Sequence, residues 1–255
     1  MPIELHHEVT GPAGAPAVVL SNSLGATLAM WDRQLDALAG YRVVRYDLRG
    51  HGGSPVPDGP SSIADLGGDL VALLDRLEIE RASLVGVSLG GMISLWTAAH
   101  HPDRVDRLAP CFTSAQLGPP QMWRDRIATV HAEGTGALAD AVVGRWFTPA
   151  FAAREPGYVA GMRDIIAATP AAGYASCAAA IENMDLRPVL ELITAPTLVI
   201  AGADDPSTPP SHAEVIVDGI HAADLRVLDD AAHLGNIEQA EAFNAALLGH
   251  LQGGS

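Results

Sequence analysis

Apolar residues in this chain fall into short runs separated by longer stretches of helical period. The runs are AVVLSN (17–22), YRVVRYD (41–47), ASLVGV (82–87), RVDRLAPCF (104–112), PTLVIAG (196–202) and DLRVLDD (224–230). Between them, helical spacing covers Leu28 to Ala39, Ile63 to Leu77, Leu89 to His100, Ser211 to Val217 and Asn236 to Leu251. Short apolar runs without alternation are strands covered on both faces, and their alternation with helices predicts an α/β fold: a mainly parallel sheet with crossover helices. The opening IELHHEV, closed by TGPAGAP, predicts an edge strand forming an antiparallel hairpin with the next strand.

The strand–helix rhythm stops after Thr113 and resumes at Leu192. From Gly118 to Asp185 the pattern is helical throughout, broken by GPP, EGTG, TP, EPG and TPAAG. This predicts a helical cap over residues 118–185, inserted into a core made of residues 1–117 and 186–255. The cap carries Trp123, Trp146, Phe147, Phe151, Tyr158 and Tyr174, six of the twelve aromatic residues, and five arginines. Packing of the cap's own small core accounts for half of those aromatics, leaving the rest for whatever lies beneath.

At 255 residues and 48% hydrophobic residues the chain can bury a large core, and disorder is excluded. No run reaches the roughly 18 apolar residues of a spanning helix, and MPIELHHEVT lacks the layout of a signal peptide, so the cytoplasm is the expected compartment. Cys111 and Cys177 read as buried free thiols. Thirty acidic against fifteen basic residues, all of them arginine, give a net charge of -15. That field repels nucleic acid and anionic lipid, so neither is an expected partner. The sequence leaves a homo-oligomer open.

Gly86-Val87-Ser88-Leu89-Gly90 matches G-x-S-x-G in the context that gives the pattern meaning, an apolar strand before it and a helix after it. A serine at such a bend takes a strained backbone, and side chains two residues either side would strike the adjacent strand and helix. A plain tight turn is the alternative. A serine hydroxyl near neutral pH needs a base, and the base an orienting acid. At this kind of elbow the acid and then the histidine follow the serine. The loop after CFT, Ser114 to Trp123, offers no acid, whereas the loop after PTLVIAG offers Asp204 and Asp205. Asp205 fits better, because Pro209 follows in a turn leading to the next helix; Asp204 is second.

Of the late histidines, His233 lies between the strand LRVLDD and the last helix, on the same sheet edge as Ser88 and Asp205. His212, His221 and His250 fall within or at the ends of helical segments and read as solvated. His6-His7 and His100-His101 are adjacent pairs without carboxylate or cysteine at ligand spacing, so no metal site is expected. Two N–H groups are needed for the oxyanion: Leu89, next to the serine, and Leu24 in the loop SNSLG, which Asn22 and Ser23 hold in shape.

With these residues in place, and with DLRGHGGS (47–54) after the second long strand, the chain resembles the α/β-hydrolase superfamily along nearly its whole length. More narrowly, SNSLGATLAMWD (21–32), RYDLRGHGGSPVP (45–57), RWFTPAF (145–151), ENMDLR (182–187), ADDPSTPP (203–210) and AAHLGNIEQ (231–239) resemble the 3-oxoadipate enol-lactonases. That resemblance implies hydrolysis, without a cofactor, of an anionic unsaturated lactone to 3-oxoadipate in the β-ketoadipate pathway of aromatic catabolism. For so acidic a protein it also asks for a local cation; Arg145, with Trp146 and Trp123, is the cap's candidate for substrate binding. Rival readings are a general carboxylesterase or cofactor-free perhydrolase and, in another class, a ligand receptor on the same scaffold.

Overall fold

The computed structural model of the chain describes residues 1–253. Seven strands form one sheet: β1 (His7–Thr10), β2 (Ala17–Ser21), β3 (Arg42–Tyr46), β4 (Ala82–Val87), β5 (Val105–Cys111), β6 (Thr197–Gly202) and β7 (Ala223–Leu228). Their order is β1-β3-β2-β4-β5-β6-β7, and every pairing but β1–β3 is parallel. All six residues of β4 are buried, as a central strand covered on both faces requires. One apolar cluster built on Leu70, Leu84, Leu95 and Leu108 and another on Val18, Val85, Ile200 and Phe243 form the core.

The first strand departs from the hairpin expected of it. β1 pairs antiparallel with β3, from His7 opposite Tyr46 to Thr10 opposite Val43. The reason is topological: β2 is already bonded to β3 on one side and β4 on the other, so the free edge nearest to it belongs to β3. The chain makes this return at Gly11, which has φ +80° and passes so close to the Tyr41 carbonyl that a methyl group there would lie 2.0 Å from its oxygen.

The crossover helices are α1 (Ile63–Arg76) and α2 (Leu89–His100). α1 starts at a reciprocal cap, in which Ser62 Oγ accepts the Asp65 N–H at 3.2 Å and the Asp65 carboxylate accepts the Ser62 N–H at 2.8 Å. The segment Leu28–Gln34, expected as an α-helix, is a 3-10 helix, tied at its start by Leu28 N–H to Asp47 Oδ1 at 2.8 Å. Between β5 and β6 run α3 (Pro120–Glu133), α4 (Gly136–Trp146), α5 (Pro149–Arg154), α6 (Pro156–Ala168) and α7 (Ala171–Glu182). After β6 come α8 (Pro210–Gly219), α9 (Gly235–Glu238) and α10 (Ala240–Leu251), the last two divided at Gln239, where one helix had been expected. Among the described residues no single helix is long and apolar enough to cross a membrane.

A buried ion pair fixes the loop after β3. Arg49 Nε donates to Asp69 Oδ2 at 2.6 Å, Arg49 Nη1 to Ser61 Oγ at 3.0 Å, and Asp69 Oδ1 accepts the Ile3 N–H at 2.8 Å. Removing one charge from such a pair strands the other in the interior, which costs about 3–5 kcal/mol. Asp69→Asn should therefore lower unfolding free energy by about 3 kcal/mol or more in urea titration. A loss below about 1 kcal/mol would show that the pair is replaceable.

Candidate active site

Ser88 stands between β4 and α2 with φ 57° and ψ -118°, a region that side chains avoid. Three hydrogen bonds hold it there: its N–H donates to Cys111 O at 2.9 Å, and its carbonyl accepts Thr113 Oγ1 at 2.7 Å and the Met92 N–H at 3.1 Å. Strain of this kind costs about 1–3 kcal/mol and persists only where the surroundings over-determine it. The flanking glycines meet the expected steric demand. A methyl group on Gly86 would lie 2.2 Å from the Gly90 carbonyl carbon, and one on Gly90 would lie 2.1 Å from the Ser21 carbonyl oxygen.

The loop after β6 carries Asp205, which is buried, and Asp204, which is exposed. Asp205 Oδ1 accepts the N–H groups of Ser207 (2.8 Å) and Thr208 (3.1 Å), while Oδ2 accepts Thr208 Oγ1 (2.7 Å) and His233 Nδ1 (2.8 Å). Burial pushes this carboxyl up, but the His233 charge and the hydrogen bonds from His233 and Thr208 more than offset it and hold Asp205 below the usual carboxylate range. His233, also buried, follows β7 and shares one cavity of about 390 Å³ with Ser88. Among the described residues no hydrogen bond joins Ser88 Oγ to His233. Asp205 thus holds the imidazole with Nδ1 engaged and Nε2 as the nitrogen left for proton transfer.

Leu24 lines the same cavity and Leu89 opens α2 beside the serine. Among the described residues neither N–H has an acceptor within the protein. Asn22 shapes the loop that carries Leu24, donating to Tyr46 O at 2.8 Å and accepting Trp31 Nε1 at 2.9 Å. His51, from the DLRGHGGS stretch, completes the support: its Nε2 accepts the Gly25 N–H at 3.0 Å while Nδ1 donates to Arg49 O at 3.0 Å. The bond from Gly25 requires a neutral imidazole, and burial holds the His51 pKa below its ordinary value.

The cap's aromatics divide evenly. Trp123, Trp146 and Tyr174 line the cavity, whereas Phe147, Phe151 and Tyr158 pack on one another, the first two stacked at 4.8 Å. Of the cap's arginines, Arg124 pairs with Glu182 at 2.9 Å and Arg163 with Asp140 at 2.7 Å. Arg145 lines the cavity, and so does Arg126, stacked 4.7 Å over Trp123. Neither has a carboxylate partner among the described residues. Burial, together with the Arg126 charge, lowers the Arg145 pKa from its ordinary value. Two cations thus face one cavity in a strongly acidic protein. Arg126, one of the five cap arginines read from the sequence, was not singled out there as a substrate-binding candidate, although its spacing from Trp123, one helical turn, puts both on one side of α3.

Two histidines differ from expectation. His212 lines the cavity with Nδ1 buried and unpartnered, and His250 is buried with Nε2 unpartnered; His221 is exposed. The helices carrying His212 and His250 pack inward at those positions, which helical periodicity over so short a span does not fix. No group of three or more potential metal ligands occurs among the described residues.

A family model described as alpha/beta hydrolase fold matches residues 16–240. The chain is 40% identical to 3-oxoadipate enol-lactonase 2 of Acinetobacter baylyi, over 96% of this chain and 92% of that one. It is 35% identical to a protein of Variovorax paradoxus provisionally named a carbamate hydrolase, over 97% of this chain and 96% of that one. Among solved structures, the enol-lactonase from Burkholderia xenovorans LB400 superposes with a TM-score of 0.96 at 43% identity, covering 98% of this chain and 97% of the other.

Acid should weaken this site's scaffold. The folded-state pKa of His51 is depressed, as is that of buried His250, so the unfolded chain takes up their protons first as pH falls below about 6.5. Stability is full above that value and declines toward the lowered folded values, by up to ~1.4 kcal/mol per pH unit for each proton. Asp205, also depressed, adds a loss only below about pH 4. Urea midpoints measured from pH 7 to pH 5 should fall, and His51→Gln should flatten that dependence. Equal slopes for the two proteins would deny His51 its neutral, bond-accepting role.

Proposed function

This chain belongs to the alpha/beta hydrolase fold family and is a hydrolase acting on an ester-type bond, and we propose that its reaction is the hydrolysis of 3-oxoadipate enol-lactone to 3-oxoadipate. The observation that carries the substrate assignment is the pair of unpaired arginines, Arg126 and Arg145, facing the cavity that Ser88 and His233 share. A neutral ester would gain nothing from two half-buried cations. A lactone bearing an acetate arm brings the carboxylate they lack, and a guanidinium is well suited to hold it through two parallel hydrogen bonds. The 40% identity to the Acinetobacter baylyi enol-lactonase over 96% of this chain supports the same reading.

In this mechanism Ser88 Oγ attacks the lactone carbonyl carbon as His233 Nε2 takes its proton. Asp205 stays ionised and stabilises the imidazolium. The carbonyl oxygen, now negative, receives the N–H groups of Leu24 and Leu89, the latter at the positive end of α2. Collapse of the tetrahedral centre breaks the ring acyl C–O bond and expels an enolate, which becomes the ketone as the proton held on His233 Nε2 passes to its carbon, leaving the imidazole neutral again. Water, deprotonated by His233, then attacks the acyl-serine ester; its collapse returns the proton to Ser88 Oγ and frees the second carboxylate.

Loss of enol-lactone absorbance, followed beside a simple p-nitrophenyl ester, tests the substrate. Fast lactone turnover that falls by about 10⁴-fold or more in Ser88→Ala is the expected result. Fast ester cleavage with an idle lactone would keep the nucleophile and discard the lactone. Neither substrate turning over would favour a ligand receptor. Arg145→Ala should raise KM for the lactone about 10- to 100-fold, the worth of one charge-assisted contact, and leave KM for the neutral ester nearly unchanged. An unchanged lactone KM would remove Arg145 from the substrate's carboxylate.

A further inference from the structure

Glu238 ends α9 and is buried. Its carboxylate is met by three donors from two separate segments. Oε2 accepts the Ala232 N–H at 3.0 Å, Oε1 accepts the Thr148 N–H at 3.2 Å, and Thr148 Oγ1 donates a further hydrogen bond to Oε1. Ala232 directly precedes His233. On the other side of that histidine, the Leu234 N–H donates to Trp146 O at 2.9 Å. The backbone around His233 is therefore fastened before it by Glu238 and after it by the cap, and Glu238 in turn is fastened to the cap at Thr148. Thr148 Oγ1 also accepts the Phe151 N–H at 3.2 Å, so the same hydroxyl caps α5.

We propose that Glu238 is a positioning residue that locks the backbone of His233 to the cap segment Arg145–Thr148, so that the base and the cavity's arginine are held in one rigid unit. The proposal rests on the reading of Ser88 and His233 as nucleophile and base. The segment fastened by Glu238 contains Arg145 and Trp146, which line the substrate cavity, within three residues of the anchor. Any shift of that segment displaces the cation that would hold the substrate and the peptide that carries the base together. A carboxylate suits this task where an amide would not: three converging donors require acceptors at both oxygens, and an amide would turn an N–H toward one of them. Arg145, Arg154, Asp204 and Asp230 line the neighbouring cavity of about 680 Å³ beside Glu238, and none forms an ion pair with it among the described residues.

The test compares wild type with Glu238→Gln, Thr148→Val and Thr148→Ser. The rate at which a fluorophosphonate probe labels Ser88 reports the base without reference to the lactone, and kcat and KM for the lactone are measured beside it. Glu238→Gln should slow labelling and lower kcat by about 10- to 100-fold and, because Arg145 moves with the base, raise KM for the lactone as well, whereas a merely destabilised but folded variant would leave labelling, kcat and KM alone. Thr148→Val should move both rates in the same direction by a smaller factor, and Thr148→Ser, which keeps the hydroxyl, should restore them. Folded variants that label and turn over at wild-type rates, even with a lowered melting midpoint, would overturn the positioning role and leave the serine reading intact. Failure of the wild-type protein to label would instead remove the serine reading, and this inference with it.

Discussion

The strained backbone of Ser88 is the constraint on which the rest of the molecule depends. A residue at φ 57°, ψ -118° cannot be held by its own preferences; its neighbours must hold it. β5 supplies the Cys111 carbonyl and Thr113 hydroxyl that do so, and β2 comes close enough to Gly90 to forbid a side chain there. Those contacts require a sheet in which β2, β4 and β5 are immediate neighbours, which is the order observed. The parallel strands then bring the loops after β2, β4, β6 and β7 to one edge. Leu24, Ser88, Asp205 and His233 come from those four loops in turn, so the sheet order that stabilises the bend also assembles its partners.

Charge is arranged at two scales that oppose each other. The chain as a whole carries -15, while the cavity presents Arg126 and Arg145 without ionic partners among the described residues. Partial burial first, and the neighbouring Arg126 charge second, disfavour the Arg145 cation and lower its pKa. Under the proposed reaction, an arrangement that is unfavourable without an anion becomes favourable with one, which would select an anionic substrate. Cap arginines that serve structure, such as Arg124 and Arg163, are instead neutralised by acidic side chains.

Much of this was legible in the sequence because it is encoded locally. The strand runs, the elbow around Ser88, and the order Ser88, Asp205, His233 each need only a window of residues and a rule about chain order. Features settled by non-neighbouring segments were not legible. The pairing of β1 depends on which edge β2 leaves free. The inward facing of His212 depends on how α8 packs. Asn22 could be placed in its loop by sequence, but its partners Tyr46 and Trp31 could not. Glu238 is the extreme case, since its bonds to Thr148 span ninety positions, and nothing in the helical pattern around it distinguishes a buried anchor from a solvated acid.

The opposition of charges also bears on turnover under the proposed reaction. The lactone would enter with one negative charge and leave as a dicarboxylate with two, so the arginines that aid capture also retain product. Binding product more tightly than substrate would slow release without aiding chemistry. The protein's own field acts in the opposite sense. It repels a dianion about twice as strongly as a monoanion outside the cavity, where the net charge of -15 rather than the two cations sets the sign of the potential. Capture then depends on short-range hydrogen bonds to one carboxylate, and departure is favoured by the long-range field. An acidic surface around a cationic cavity is thus suited to a hydrolase whose product is more negative than its substrate.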